Sequence, residues 1–373
     1  MKVSQIRSLC ISDIHLGHAK NSTEEIIHNL DVFLNQYNNK KLIDILFLAG
    51  DVFDKMLHFS DKQVNVFTLW AWRLVKFCER NNIKLRVLEG TPYHDRGQSK
   101  MFETIAQVSN SHADVKYFDS IYIEHIEDFG IDILYIPDNN DPETYDHVCN
   151  LMESKNLTQV DLAIMHGAFK FQMVEKAHTE STHIESDYLS IVKYYIMIGH
   201  IHIGRVYERI MSPSSFDRLA HGEEGPKGGV YFVINDDGTM NHFFIENKLS
   251  KIFKSITIRS KDLESSIEYI RRQTNKFPSG SHIRLKALKD STIFKAFDEV
   301  KSLFPNLKIT KQALEDESVA MNELVSDNDT TQYAALRLDR TNLNRMLIEI
   351  VDGKYLLESP VRTALLSELK MAM

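Results

Sequence analysis

Short apolar runs alternate with longer amphipathic segments over the first hundred residues. Runs suited to buried strands lie within 8–15, 43–51 and 84–90. Between them, apolar residues recur at helical spacing from Thr23 to Tyr37 and over 60–80, where Ser60 is the expected N-cap. This order of strand, helix, strand, helix and strand predicts βαβ units and a largely parallel sheet.

Further elements are predicted up to about residue 250, where the first domain is expected to end. They are strands at 117–125, 131–136, 160–166 and 194–199, and a helix near 143–154. Gly229–Asn235 and Asn241–Asn247 alternate like the two strands of a hairpin. Asp138 and Asp141 lie in a Pro- and Asn-rich cluster, where they are predicted to serve a turn rather than to bind a ligand.

The chain after residue 250 divides into three parts. Residues 251–313 repeat the strand–helix order and predict a small α/β domain. Residues 314–335 are polar and acidic and predict a linker, whereas 336–373 regain helical spacing and predict a helical tail. The apolar stripes of that tail are expected to pack on the same chain or to dock on another protein. The predicted fold class is α/β with a helical tail.

Composition is that of a folded globular protein. The 373 residues are 43% hydrophobic, enough for two or more domains, and no apolar stretch approaches the roughly 18 residues of a membrane span. The three cysteines are far apart and form no CxxC pair, which predicts reduced thiols and a cytoplasmic location. The net charge of −8 argues against a strongly basic nucleic-acid binder. Binding of DNA is not excluded, because bound metal cations or a basic partner protein can make the local charge positive.

Aspartate and histidine side chains follow the predicted strands where each strand ends. They are Asp13, His15, Asp51, His94, Asp95, His166, His200 and His202. The carboxyl ends of parallel strands share one edge of an open α/β sheet, which is where such sheets place their ligands. His200 and His202 also point the same way in an extended segment, because side chains alternate along a strand. The sequence therefore predicts one metal site at this edge.

The donor set favours two ions and hydrolytic chemistry. Mixed imidazole and carboxylate ligation suits Mn, Fe or Zn better than Mg or Ca. The donors outnumber the ligands of one ion, so two ions bridged by one carboxylate are expected. Such a pair acidifies a shared water and stabilises the attacking and leaving oxygens of an in-line displacement. A histidine that binds no ion can stabilise charge or protonate the leaving oxygen, and phosphoester hydrolysis is the matching reaction.

Five motifs occur in a fixed order along the chain. They are Asp13-x-His15, Gly50-Asp51, His94-Asp95, His166-Gly167 and Gly199-His200-x-His202. This order resembles the calcineurin-like metallophosphoesterase superfamily over about residues 5–250. The added segments Ser212–Phe216, Gly222–Glu224 and Lys227–Gly229 resemble the SbcD nuclease family. The resemblance implies a metallophosphoesterase core built as a two-sheet αββα sandwich, a capping domain and an ATPase-docking tail.

The resemblance also implies roles for the site residues. It assigns a first ion to Asp13, His15, Asp51 and His202, and a second ion to Asp51, His166 and His200. It gives catalytic roles to His94, which faces the scissile phosphate, and to Asp95. The expected cofactors are two divalent ions, Mn²⁺ first and Mg²⁺ as the alternative. The implied function is a DNA exonuclease and endonuclease subunit of an SbcCD-like recombination and repair complex, a homodimer with an SbcC-type SMC-like ATPase as partner.

The third motif departs from the family pattern. The family has Gly-Asn-His, with the Asn on the second ion, whereas this chain reads Gly90-Thr91-Pro92-Tyr93-His94. Tyr93 aligns with the Asn, and Thr91, a backbone carbonyl or a water are the candidates to replace it. Asp54 is open between a phosphate-facing role and a loop cap. Two other functions stay open: a phosphoesterase acting on small nucleotides or phosphoproteins, and a non-catalytic scaffold with an incomplete second site.

Overall fold

Two six-stranded sheets face each other at the centre of the molecule. The structure is a computed structural model that describes residues 5–38, 42–58 and 60–314. The acidic linker predicted at 314–335, apart from its first residue, and the helical tail predicted at 336–373 lie outside the described residues. The domain limits at 250 and 313 stay predictions.

The elements of the first part of the chain alternate as the hydrophobic pattern indicates. In chain order they are β1 (Gln5–Ile11), α1 (Thr23–Asn35), β2 (Ile45–Ala49), α2 (Lys62–Asn81), β3 (Lys84–Leu88), α3 (Met101–Val108), β4 (Val115–Phe118), β5 (Tyr122–Ile126), β6 (Ile131–Ile136), α4 (Thr144–Ser154), β7 (Val160–His166), α5 (Glu185–Ile191), β8 (Val192–Gly199), β9 (Arg205–Tyr207), β10 (Ile210–Ser212), β11 (Gly228–Asn235) and β12 (Met240–Glu246). The last two strands form the predicted hairpin, with antiparallel pairing.

The first sheet is parallel from β1 to its β4 edge and antiparallel at its other edge, and the second sheet is parallel at its centre and antiparallel at both edges. The first has the order β12-β11-β1-β2-β3-β4, in which β1 to β4 run parallel and β11 runs antiparallel to β1. The second has the order β5-β6-β7-β8-β10-β9, with β6, β7, β8 and β10 parallel. The carboxyl ends of β1, β2 and β3 therefore meet at one edge, as do those of β7 and β8.

Helices cover the outer face of each sheet. Leu30 of α1, Trp70 of α2 and Phe102 of α3 are buried against the first sheet. Met152 of α4 and Tyr188 of α5 are buried against the second. These contacts bury the apolar face of each amphipathic helix, as its hydrophobic periodicity predicts.

The space between the sheets is filled by large apolar side chains from both. Phe47 and Phe232 of the first sheet pack in one buried cluster with Tyr135 and Met197 of the second. The rings of Phe118 and Tyr135 stack with centroids 3.7 Å apart. Burying one such side chain contributes about 1.5–3 kcal/mol, so this layer is a main source of stability. The four layers confirm the predicted α/β class and the two-sheet αββα sandwich.

The strand predicted at 117–125 is wrong as a single element. β4 ends at Phe118 in the first sheet, and β5 begins at Tyr122 in the second. Asp119 and Ser120 form a bend between them. The chain passes from one sheet to the other at this bend. Residues on both sides of the bend favour strands, so the sequence pattern predicts one continuous strand.

Two helix predictions also need correction. Asp61, not Ser60, precedes the first turn of α2, and its carboxylate accepts from the backbone N–H of His58 instead of capping the helix. The apolar spacing over Ile293–Leu303 predicts one helix of the small domain, but the structure has two shorter helices there, because the backbone at Ala296 is not helical. The helices α3 and α5 and the strands β9 and β10 were not predicted.

A small three-stranded sheet follows the large ones. Its elements are β13 (Phe253–Thr257), α6 (Leu263–Thr274), β14 (His282–Leu288), α7 (Thr292–Lys295), α8 (Phe297–Ser302) and β15 (Lys308–Leu314). The strands are parallel in the order β13-β14-β15 and have a separate apolar core. Among the described helices, none has the length and apolar character needed to cross a membrane.

A buried charge cluster joins the two large sheets. The Arg86 side chain on β3 is 1% exposed and donates to both oxygens of Glu124 on β5, at 2.8 and 2.9 Å. Arg86 also donates to Asp114 at 2.9 Å, and Lys116 donates to Glu124 at 2.7 Å. Burial opposes the charge on Glu124, but the Arg86 guanidinium holds its pKa below the ordinary value. Removal of one member leaves a buried charge without its main partner, which is costly.

Candidate metal centre

The structure brings the predicted donors together at the carboxyl ends of the strands. Ligand atoms within 4.8 Å of one another form three overlapping groups: a first group of Asp13, His15 and His202, a second group of Asp51, His166 and His200, and a linking group of His15, Asp51 and His94. The first sheet supplies the residues after β1, β2 and β3, and the second sheet supplies those at the ends of β7 and β8. His15 and Asp51 each belong to two groups, so the arrangement is continuous.

The tips of β1 and β2 are joined beyond the regular sheet. The backbone N–H of Asp13 donates to Gly50 at 3.1 Å, and that of His15 donates to Asp51 at 3.0 Å. Asp13, His15 and Asp51 have φ values of 51°, 55° and 49°, and His200 on the other sheet has 97°. Side chains other than glycine adopt this region at a cost, which is typical of residues held for function.

Glycines allow the strand tips to approach closely. A Cβ on Gly50 would lie 2.2 Å from Nδ1 of His166, and one on Gly90 would lie 2.0 Å from the backbone nitrogen of Asp51. Neither distance can be accommodated without moving a donor. These two positions therefore need glycine because the backbone passes directly against the site.

Contacts behind two histidines fix which nitrogen faces the site. Nδ1 of His166 donates to the carbonyl of Ala49 at 2.8 Å, so the proton of the neutral ring is on Nδ1. Nδ1 of His202 donates to Oε1 of Glu223 at 3.0 Å. In both rings Nε2 is then the nitrogen that directs a lone pair toward the site, which is the arrangement expected of metal-binding histidines.

Asp54 supports two more histidines from the loop after β2. Its Oδ1 lies 3.3 Å from Nδ1 of His15, and its backbone carbonyl accepts from Nδ1 of His94 at 2.6 Å. The phosphate-facing role left open for Asp54 stays a prediction, and its contacts are not those of a simple loop cap. They position the two rings.

The first group of donors fits a cation. Nε2 of His15 and Nε2 of His202 are 3.1 Å apart, and Oδ1 of Asp13 lies 3.8 Å from Nε2 of His202. Nδ1 of His202 donates to Glu223, so in the neutral ring Nε2 of His202 presents a lone pair toward Nε2 of His15. A cation between the two Nε2 atoms would bind both. Neighbouring ligands of an octahedral ion with bonds of about 2.1 Å lie about 3 Å apart, which matches this spacing.

The second group is centred on Asp51. Its Oδ1 lies 3.3 Å from Nε2 of His166, and both side chains are buried. Burial opposes charge on Asp51, but the His166 imidazole lowers its pKa. Burial likewise opposes charge on His166, but Asp51 raises its pKa to about 10. The field at this point favours positive charge, and Asp51 belongs to two of the three donor groups.

Thr91, not Tyr93, occupies the place left by the missing asparagine. The Tyr93 side chain is 73% exposed. Oγ1 of Thr91 lies 3.2 Å from Oδ2 of Asp51, 3.4 Å from Nε2 of His166 and 3.3 Å from Nδ1 of His200. Among the candidates raised by the sequence, the threonine hydroxyl is the group that contacts the second set of donors.

Asp95 lies behind the site rather than in it. Its carboxylate is fully buried and accepts from the backbone N–H groups of Phe53 and Gly90, both at 2.8 Å. Burial first, and then the Asp51 carboxylate, raise the pKa of Asp95 well above its ordinary value. These contacts join the loops after β2 and β3. The catalytic role predicted for Asp95 stays a prediction, and what the structure shows is a positioning contact.

The buried pair Glu223 and Lys227 had no predicted role. Nζ of Lys227 donates to the carbonyl of His202 at 2.6 Å and to Oγ of Ser215 at 2.8 Å, and it lies 3.1 Å from Oε2 of Glu223. The other oxygen of Glu223 orients the His202 ring. A Glu and a Lys four residues apart in a glycine-rich loop are the only signal in the sequence, and it does not identify their partner.

Asp138 forms the predicted turn and also approaches the site. Its Oδ1 accepts from the backbone N–H of Asn140 at 3.2 Å, as turn chemistry requires. Its Oδ2 lies 3.9 Å from Nδ1 of His200. The carboxylate therefore adds negative charge beside the second group of donors.

Comparisons with known proteins give weak structural likeness. No family model matches the chain, and no curated protein matches it. GAP50, described as the anchor in the inner membrane complex of Plasmodium, is 11% identical with a TM-score of 0.43, over 67% of this chain and 87% of that chain. TT1561 of Thermus thermophilus is 9% identical with a TM-score of 0.38, over 64% and 98%. Glutamine-dependent NAD+ synthetase from Acinetobacter baumannii is 8% identical with a TM-score of 0.32, over 98% and 73%. Likeness of this degree assigns neither family nor function.

Proposed function

We propose that the protein is a divalent-metal-dependent phosphodiester hydrolase that cleaves DNA, with Mn²⁺ as the expected ion and Mg²⁺ as the alternative. The observation that carries this proposal is the convergence of donors into three overlapping groups, two of which contain Asp51. Two adjacent ions acidify a shared water and stabilise the attacking and leaving oxygens of a phosphoester displacement. The chain's own contribution is a rigid, preorganised ligand cage at one sheet edge.

His94 is proposed to act on the phosphate. Its Nδ1 donates to the carbonyl of Asp54, which leaves Nε2 directed away from that support. Its ring meets the ring of His15 edge-on, with centroids 4.9 Å apart, so it borders the first group of donors. From this place a histidine can stabilise charge on a phosphoryl oxygen or protonate the leaving oxygen.

A concentration of cations supports a polyanionic substrate. Lys20, in the loop that follows His15, places its Nζ 5.6 Å from the centre of the Phe253 ring, which stacks on His282 at 4.4 Å. Burial first, and then nearby cations, Lys308 foremost, lower the pKa of His282 to about 4. Positive charge therefore gathers here in a chain of net charge −8. A nucleic-acid backbone is the ligand that such a surface suits.

The test is cleavage of end-labelled double-stranded DNA in Mn²⁺. Asp51→Ala should lose both bound metal and cleavage. His94→Ala should keep the metal and lose cleavage by about 10²–10⁴-fold, the usual contribution of a positioned acid or base. His147→Ala is the matched control, because this histidine lies on α4 with its side chain 50% exposed. Full cleavage by Asp51→Ala or His94→Ala would refute the proposal.

The alternative functions give different results in parallel assays. An enzyme for small substrates would hydrolyse nitrophenyl esters or cyclic nucleotides and leave DNA intact. A non-catalytic scaffold would retain close to no metal after purification in Mn²⁺. Metal content and the substrate panel together therefore separate the three possibilities.

Two proposed partners rest on the sequence resemblance, a second copy of the chain and an SbcC-type SMC-like ATPase. Leu69 and Trp72 on α2 are 60% and 46% exposed, and this apolar face suits a contact between two copies. Light scattering of the full chain should give a dimer, and Leu69→Glu should give a monomer. A monomeric wild-type protein at micromolar concentration would contradict the dimer.

A further inference from the structure

Thr91 makes two separate contributions at the second group of donors. Its backbone N–H donates to Oδ1 of Asp51 at 2.6 Å and so holds the shared carboxylate in place. Its hydroxyl lies 3.2–3.4 Å from one donor atom each of Asp51, His166 and His200. The residue follows Gly90 directly, at the point where the chain after β3 passes against the site.

Hydrogen bonding alone does not account for the position of this hydroxyl. A threonine hydroxyl has one hydrogen and can donate to one of the three atoms around it. In the neutral, metal-binding form of His166 Nε2 is an acceptor, because Nδ1 donates to Ala49, and the Asp51 oxygen is an acceptor as well. The hydroxyl can donate to only one of these two atoms, so its lone pairs face a lone pair of the other, whereas Nδ1 of His200 donates or accepts according to its tautomer. A cation bound by all four groups removes this conflict.

The distances agree with shared coordination. Neighbouring ligands of an octahedral ion with bonds of about 2.1 Å lie about 3 Å apart, close to the spacing of Oγ1 from its three neighbours. Ser and Thr hydroxyls bind divalent ions elsewhere, as in phosphate-binding loops. We propose that Oγ1 of Thr91 completes the ligand set of a second ion with Asp51, His166 and His200. This inference rests on the proposed two-ion function.

The charges around the two ions make them unequal. The first group contains Asp13, and Oδ2 of Asp51 lies 3.8 Å from Nε2 of its His15, whereas the second contains Asp51 and a neutral hydroxyl. Affinity for a hard divalent ion rises with ligand charge. The second ion is therefore bound more weakly and is taken up after the first.

The experiment is a Mn²⁺ titration of the full chain, followed by calorimetry and by electron paramagnetic resonance. The wild type should bind one ion tightly and a second more weakly, with spin coupling on binding of the second. Thr91→Val keeps the shape and the backbone N–H but removes the hydroxyl, so the second affinity should fall at least about tenfold. Thr91→Ser should keep both ions. Thr104→Val is the matched control, an exposed threonine on α3.

The outcomes separate this inference from the proposed function. If Thr91→Val binds both ions with wild-type affinity, Thr91 is not a ligand and the two-ion function stands. If the wild type binds no more than one ion at saturating Mn²⁺, the two-ion function itself is wrong. Circular dichroism establishes that each variant is folded, and Thr91→Ala replaces the valine variant if that one is not.

Discussion

Replacing Gly90 by alanine tests whether the backbone after β3 sets the position of the shared ligand. The alanine Cβ would lie 2.0 Å from the backbone nitrogen of Asp51 and 2.3 Å from its Oδ1. Contacts under 3.0 Å do not occur at a real Cβ, so one of the two backbones must move by about 1 Å. Functional constellations tolerate displacements of roughly 0.5 Å. Because Asp51 belongs to the second group and its Oδ2 lies 3.8 Å from Nε2 of His15 in the first, Gly90→Ala should weaken both ions.

The expected size of the effect is a loss of at least about tenfold in each Mn²⁺ affinity, or about 1.4 kcal/mol, measured by calorimetry. Overpacking should also lower the free energy of unfolding by about 1–3 kcal/mol, measured in urea. Gly225→Ala is the matched control, since its Cβ would meet no atom within 4 Å. Two ions bound by folded Gly90→Ala with unchanged affinity would refute the reasoning, because Asp51 could then move freely without consequence.

Three further changes test contacts outside the ligand set. Glu223→Gln keeps an acceptor for His202 but removes the charge, so affinity for the first ion should fall about 10–100-fold by calorimetry, and no change would contradict the role of Glu223. Arg86→Met should lower the free energy of unfolding in urea by about 3–5 kcal/mol, and Arg86→Met with Glu124→Leu should recover most of it; a loss below about 1 kcal/mol would contradict this. Burial raises the pKa of Asp217 from 3.8 to about 6. Protonated Asp217 therefore stabilises the fold below pH 4, and the free energy of unfolding should fall by up to about 3 kcal/mol as the pH rises to 6. Asp217→Asn should lack that slope, and equal slopes in the two proteins would refute the assignment.

The donors could be predicted because each follows an apolar run. A buried strand that ends in Gly-Asp or Gly-His can be recognised from the local sequence alone. The parallel order of β1, β2 and β3 then puts the three strand ends at one edge of the sheet. Asp51 and His200 lie in such sequences, and both contribute donor atoms to the second group. The local pattern was sufficient to find these residues, because the geometry of a parallel sheet brings the strand ends together.

The supporting contacts could not be predicted from pattern. Glu223 reaches His202 across 21 positions, and Arg86 reaches Glu124 across 38 positions and between two sheets. Such pairs depend on how loops and layers pack against one another. The spacing of apolar residues along the chain contains no information about that packing. The crossing after Phe118 is of the same kind, because strands on both sides of the bend have the same composition but belong to different sheets.

Asp51 shows why loops that differ in sequence can still build one site. Its carboxylate receives the N–H of Thr91 at 2.6 Å and faces His166 at 3.3 Å. The next loop is fixed to the same place by Asp95, which binds the N–H of Gly90. The position of the Asp51 carboxylate therefore depends on backbone groups and a buried carboxylate, and not on the identity of the exposed residue at Tyr93. A longer loop with no asparagine is compatible with this geometry, provided that Gly90 and the hydroxyl of Thr91 are kept.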